Sequence, residues 1–190
     1  MTASVEKALP EFEAITANNP IFQARTRGTA QYDAQRAIDS GFTGPNLRCT
    51  GYAWDLRKVR PYCGYEDYDF EVPTATEGDA LARTRLRLEE IRQTLRIVRQ
   101  AAERMPGGPV LSDQAHYAFA RKERTLEDIE TLIHHFVGTG RGMAFPPGES
   151  FYRTEAPKGM MGYYVISDGS PNPYRAKWRS SSFSSNNART

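Results

Sequence analysis

Asp79-Ala80-Leu81-Ala82-Arg83-Thr84-Arg85-Leu86-Arg87-Leu88-Glu89-Glu90-Ile91-Arg92-Gln93-Thr94-Leu95-Arg96-Ile97-Val98-Arg99-Gln100-Ala101-Ala102-Glu103-Arg104-Met105 is the stretch on which the fold turns. Leu81, Thr84, Leu88, Ile91, Leu95, Val98, Ala102 and Met105 recur at alternating steps of three and four. That spacing predicts one long helix of about seven turns, with a single inward stripe and Arg- and Glu-rich flanks. Pro106-Gly107-Gly108-Pro109 stops it, because proline cannot continue a helix and glycine favours its C-terminal side. A sustained heptad stripe is also a coiled-coil pattern. Only this segment carries it, which favours a helix packed at the centre of a bundle.

Upstream of this helix, Leu9, Phe12 and Ile15 mark a short helix within Glu6 to Asn18, ended by Asn18-Asn19-Pro20. Asp33 to Ser40 reads as another, closed by Gly41, and Thr43-Gly44-Pro45-Asn46 as a turn. Downstream, Val110 to Arg124 is a polar connection. A second helix is predicted from Thr125, whose hydroxyl suits an N-cap, with Leu126, Ile129, Leu132, Ile133 and Phe136 as its apolar face. Gly138 and Gly140 are read as its end. From Phe151 the period changes to two. Residues 151–155, 160–167 and 174–179 read as three short strands of an antiparallel meander. The expected class is α+β, mainly helical, with a long central helix and a small antiparallel sheet.

Composition limits the functional classes. The 190 residues carry 25 Lys and Arg against 23 Asp and Glu, a net charge of +2, so there is no broad electrostatic footprint for nucleic acid. A hydrophobic share of 39% and a mean hydropathy of −0.63 are lean for an independent domain and ordinary for a subunit among partners. No apolar run approaches the ~20 residues of a membrane-spanning helix, and Met1 to Pro10 lacks a signal-peptide core. Cys49 and Cys63 form no CxxC pair, so the usual zinc and iron–sulfur spacings are absent. Two reduced thiols are favoured over a disulfide.

No motif for catalysis emerges. His134 and His135 are adjacent on a helix, about 100° apart, and cannot ligate one metal in the i, i+4 manner. His116 stands alone in the polar connection. Gly138-Thr139-Gly140-Arg141-Gly142 follows a helix instead of opening one, which argues against a phosphate cradle. Glu155 and Lys158 flank a tight turn, as a local ion pair or as charges lining a cavity. On motifs alone the chain is a non-catalytic α+β subunit.

Between the short helices and the long one lies Trp54-Asp55-Leu56-Arg57-Lys58, followed by Val59 to Pro73. This segment is too aromatic for a linker and too charged for a core strand. It reads as irregular chain pinned to a surface, its aromatic bodies buried and its charges paired. Here the chain resembles the D subunit of NADH–quinone oxidoreductase, the hydrogenase-like large subunit of respiratory complex I. Further blocks agree in order: Gln23 to Gly28, Thr43 to Arg48, Arg87 to Gln93, Ile133 to Phe136, Pro146 to Glu149, Glu155 to Gly159, Ser167 to Gly169 and Pro173 to Arg175. The match covers roughly the C-terminal half of such proteins.

The resemblance implies a partial version of the nickel–iron-hydrogenase large-subunit fold over residues 1–183; beyond it, the Ser- and Asn-rich composition of the end reads 184–190 as a disordered tail. It implies a place in a quinone-reducing module. Electrons would pass from NADH through iron–sulfur clusters of partner subunits to quinone, and proton translocation would belong to membrane-arm partners. The chain itself would bind no metal and would be peripheral, held at the cytoplasmic face of the inner membrane by its partners. The family's quinone-contacting His and Tyr have no counterpart here, so no catalytic residue is assigned. The transferable position is the turn Glu155-Ala156-Pro157-Lys158-Gly159, which implies Glu155, Lys158 and Gly159 as wall of the quinone cavity. The alternative is a truncated structural fragment without redox activity, and the isolated chain is expected to be inactive. Three departures from the family stand out: polar Thr29 to Asp33 in place of an apolar strand, Met160 in place of Glu, and divergence after Phe183.

Overall fold

The computed structural model describes residues 2–111, 118–142 and 144–182. His116 and the tail 184–190 lie outside the described residues. The chain divides into two compact units. One gathers the residues up to Met105, 153–162 and the stretch from Trp178; the other comprises Pro106–Tyr152 and Tyr163–Lys177.

The first unit opens with α1 (Thr2–Ile15), α2 (Pro20–Thr26), α3 (Ala34–Asp39), α4 (Pro45–Arg48) and α5 (Leu56–Val59), and is dominated by α6 (Ala80–Glu103). Their starts follow from capping chemistry. Asn19 accepts from the Ile21 amide at 2.9 Å with Pro20 in the first turn, and Asp33 accepts from the Arg36 amide at 2.8 Å. Residues 43–46, expected as a turn, hold the start of α4. In α1 only Leu9 of the three apolar positions is buried; Phe12 and Ile15 are exposed.

The long helix forms where expected, but its buried pattern differs. Leu81, Leu88 and Leu95 are buried as predicted, together with Ala82, Leu86 and Ile97, whereas Ile91, Val98 and Met105 are exposed. At about 100° per residue, Leu88 and Ile97 point to opposite sides. Leu88 packs with Leu9 and Ala17, and Ala82 and Leu86 with Cys49. The helix is covered from two sides, so a single stripe cannot describe it.

The aromatic, charged segment is pinned along α6. Asp69 and Glu71 lie outside any strand, and their amides donate to Gln100 and Gln93 at 2.9 and 3.0 Å. Those glutamines lie seven residues apart, two turns along one face. Arg96 pairs with Asp69, and Arg104 donates to the Asp67 carbonyl at 2.6 Å. Phe70 is buried, with Lys58 Nζ 4.1 Å and the Arg57 guanidinium 4.9 Å from its ring centre.

Asp79 holds the start of α6. One carboxylate oxygen accepts from Ala82 N at 2.7 Å and the other from Gly28 N at 2.8 Å. Burial raises its pKa, but these amide bonds outweigh it and hold the carboxyl below its usual range. Its contribution is present above the unfolded value, near ~3.9, and is lost as pH falls through the folded one. Asp79→Ala removes a cap and orphans a buried amide. A loss of about 2 to 3 kcal/mol in denaturant-induced unfolding at neutral pH is expected, shrinking under acid.

In the second unit, α7 (Lys122–Glu127) and α8 (Ile129–Arg141) pack together. Thr125 is not an N-cap. It lies inside α7 with its hydroxyl donating to the Arg121 carbonyl, and the extended backbone of Asp128 separates the two helices. Leu126, Ile129, Leu132, Ile133 and Phe136 are exposed, so the predicted apolar face is not buried. Gly138 and Gly140 lie inside α8, which ends before Gly142 at φ 71°.

Strands β1 (Gly148–Ala156), β2 (Gly159–Ser167) and β3 (Arg175–Arg179) form a sheet in the order β1-β2-β3, the expected meander. Pro157-Lys158 joins the first two as a two-residue hairpin, which requires antiparallel strands. The result is a mixed, mainly helical α+β chain with one small sheet.

Candidate functional site

The tip of the β1–β2 hairpin is locked onto the loop that precedes α4. Met160 N donates to Thr43 Oγ1 at 3.0 Å, and Arg179 donates to the carbonyls of Gly41 and Met160 at 3.0 and 3.4 Å. Glycine is needed on both sides. A Cβ at Gly44 would fall 2.3 Å from Gly159 Cα, and one at Gly159 would fall 2.6 Å from Thr43 Oγ1 and 2.7 Å from its carbonyl oxygen. Both have positive φ, 64° and 121°. Gly159 is therefore buried against backbone, while Lys158 beside it is exposed.

Beneath this tip lies a buried ionic cluster. Arg48, at the end of α4, is 2% exposed and donates through Nε and Nη2 to Glu90 Oε1 at 2.9 and 2.6 Å. Its Nη1 donates to the Trp54 carbonyl and to Glu155 Oε1, both at 2.9 Å, and lies 3.6 Å from Asp55. Asp55 is 1% exposed and takes a two-pronged bond from Arg57 at 3.0 and 2.6 Å, with the Arg57 amide at 2.9 Å. Glu155 receives the Leu56 amide at 3.4 Å, and its own amide donates to the Tyr62 hydroxyl at 2.9 Å.

The acids divide into two kinds. Burial raises the pKa of Asp55, but the Arg57 fork overcomes it and holds that carboxyl below its usual range. Burial pushes Glu90 and Glu155 up, and Arg48 only partly opposes the rise. Glu155 adds to the rise at Glu90, and Asp55 adds to it at Glu155. Burial alone would lower the pKa of Arg48, yet its carboxylate neighbours leave it raised, so it stays charged.

Sequence reasoning singled out Glu155, Lys158 and Gly159, and all three lie at this hairpin tip. The local ion pair between Glu155 and Lys158 does not form. Glu155 points inward to a guanidinium that arrives from 107 residues away, a partner no local pattern reveals. Arg48, Asp55, Glu90 and Tyr62 were not singled out. The available signal was that Arg48, Asp55 and Glu90 each stand inside a block shared with the resembled family.

Other candidates resolve into packing. Cys49 is a buried thiol 3.8 Å from the Tyr32 hydroxyl, Cys63 is exposed, and both are free. Residues 28–33 form no strand. His135 lies 4.8 Å from the Phe119 ring, centre to centre. Among the described residues no group of three His, Cys, Asp or Glu side chains is placed to hold a metal ion, and no helix is long and apolar enough to cross a membrane.

The family model described as respiratory-chain NADH dehydrogenase, 49 kDa subunit, matches residues 1–189. The chain is 49% identical over 175 residues to the C/D subunit of NADH-quinone oxidoreductase from Rhodopseudomonas palustris strain TIE-1, covering 92% of this chain and 30% of that protein. It is 49% identical over 175 residues to the C/D subunit from Nitrosospira multiformis, covering 92% and 29%. It is 46% identical over 177 residues to that from Methylococcus capsulatus, covering 93% and 30%. The chain thus spans about a third of the length of these relatives. It belongs to the family of the 49 kDa subunit of respiratory-chain NADH dehydrogenase.

Proposed function

We propose that the chain is part of the quinone-reducing module of NADH–quinone oxidoreductase, and that the turn Glu155–Gly159 forms wall of the quinone cavity. The observation that carries this reading is the hairpin tip. Glu155 is anchored under Arg48 and Gly159 against Thr43-Gly44, which leaves Lys158 as an exposed cation on a fixed base. A cation carried at a set place on the cavity wall stabilises negative charge that develops on a quinone oxygen during reduction. In this reading electrons come from NADH through iron–sulfur clusters of partner subunits, and the hydrogenase-like large-subunit relationship supplies the architecture. The chain sits peripherally on the membrane's cytoplasmic face through those partners. Its role is to shape the cavity and carry the charge.

The test is Lys158→Ala in the assembled oxidoreductase. A roughly tenfold fall in quinone turnover or a comparable rise in the quinone KM is expected, with NADH oxidation by an artificial acceptor unchanged and quinone kinetics largely restored in Lys158→Arg. Unaltered quinone kinetics in Lys158→Ala would remove the turn from the cavity.

A further inference from the structure

The ionic cluster contains three carboxylates, Asp55, Glu90 and Glu155, against two guanidiniums, Arg48 and Arg57. Fully ionised, it would bury one uncompensated negative charge. That is costly where side chains are 1%, 2%, 4% and 15% exposed for Asp55, Arg48, Glu155 and Glu90. Asp55 has its own counter-ion in the Arg57 fork and its own backbone amide. The two glutamates must share Arg48.

That sharing is incomplete. The Arg48 hydrogen bonds to Glu90 all fall on Oε1. Glu155 receives one N–H from Arg48 and a long bond from Leu56. Each acid therefore has oxygen capacity that a proton can occupy. The cations paired with its acids are Arg48 and Arg57. The charged and titratable groups that face the two glutamates are Arg48 from α4, Asp55 and Arg57 from the start of α5, and Tyr62 from the loop beyond it. Glu89 and Arg92 pair with each other on the exposed side of α6, and Arg92 also pairs with Glu13.

We propose that Glu90 and Glu155 form a proton-binding site, holding one exchangeable proton between them at neutral pH on the two sides of the Arg48 guanidinium. Binding forms one carboxylic O–H bond, and release returns the proton to water and leaves both acids ionised. The elevated pKa of both acids agrees with this. The site lies directly under the hairpin tip that carries Lys158, so its charge state sets the field beneath that tip. The proposal stands independently of the quinone reading, which the Lys158 variants decide.

The experiment is infrared spectroscopy of the full chain carrying carboxyl-labelled glutamate, in light and heavy water, across neutral pH. A carboxylic-acid C=O band from glutamate is expected at pH 7, shifting with both the label and deuterium and lost on alkaline titration. Glu155→Gln and Glu90→Gln are each expected to abolish it, because the remaining acid then has Arg48 to itself. Glu66→Gln, in the loop beyond the cluster, is expected to leave it intact. Absence of the band from the unmutated chain at pH 7 would overturn the proposal whether or not the variants fold, as would a band that survives in both folded variants.

Discussion

Arg48→Ala is expected to cost about 3 to 5 kcal/mol, a large share of a total stability on the order of 5 to 15 kcal/mol. The magnitude comes from what remains, since one substitution leaves Glu90, Glu155 and Asp55 in one buried site with only Arg57 for charge balance. Arg48→Lys keeps the charge but loses the fork that reaches Glu90, Glu155 and the Trp54 carbonyl together, and an intermediate loss of about 2 kcal/mol is expected. The damage should depend on pH. Glu90 and Glu155 have raised folded pKa values, so their contribution is present below the unfolded value, near ~4.3, and is lost as pH rises through the folded ones. Without Arg48 they depend more heavily on protonation. Denaturant unfolding followed by helix signal should show a larger deficit at pH 8 than at pH 5.5. A deficit under about 1 kcal/mol at both would show that the cluster is no part of what holds the unit together.

Local patterns disclosed the elements and concealed their partners. The long helix, the α3 segment and the three strands were legible because each is written in a short-range period with terminators in place: Asp79 before α6, Asp33 before α3, and the hairpin residues Pro157-Lys158 between β1 and β2. What failed was the direction of burial. A single heptad stripe assumes one neighbour, and α6 has cover on opposite sides, so Leu86 and Ile97 are inside while Ile91 and Val98 are outside. On α8 the periodicity is real, but periodicity says which residues share a face and nothing about what covers that face.

The residues themselves mark the turn at Glu155 and Lys158, and the family resemblance sharpens it to a cavity wall. Charge spacing offers either a Glu155–Lys158 pair or two charges lining a cavity, and neither names Arg48 as the partner of Glu155. Its actual partner, Arg48, is fixed by a backbone approach between Gly44 and Gly159 that no pairwise charge pattern encodes. The aromatic, charged segment is pinned as expected, but it is not irregular throughout, since it contains α5, and of its aromatics only Phe70 is buried, the others half-buried. Its anchors are Gln93 and Gln100 as much as its own charges. Glutamine amides on a helix face are indistinguishable in sequence from ordinary surface residues.

The same backbone approach sets the second large effect. Gly44→Ala is expected to cost more than about 4 kcal/mol, a size reserved for steric or buried-charge lesions. Part of that is backbone strain, roughly 1 to 3 kcal/mol, because φ 64° with ψ −143° lies outside even the left-handed helical region and is a conformation kept almost entirely for glycine. The rest is overlap, because the new Cβ would sit 2.3 Å from Gly159 Cα and 2.6 Å from its nitrogen, and backbone atoms cannot rotate away as a side chain can. Gly28→Ala is the comparison at positive φ without the overlap. Gly28 has nearly the same φ, 69°, but nothing lies within 4 Å of its Cβ position, and its amide bond to Asp79 survives the change. It should lose only its own positive-φ strain, about 1 to 3 kcal/mol. If both variants unfold at the same denaturant concentration, close contact at the hairpin tip is not what fixes it. If Gly44→Ala alone is severely destabilised, the hairpin is being driven off the α4 loop. The Arg48–Glu155 bridge must then lengthen with it, and the base on which Lys158 stands is lost before any charge in the cluster has been altered.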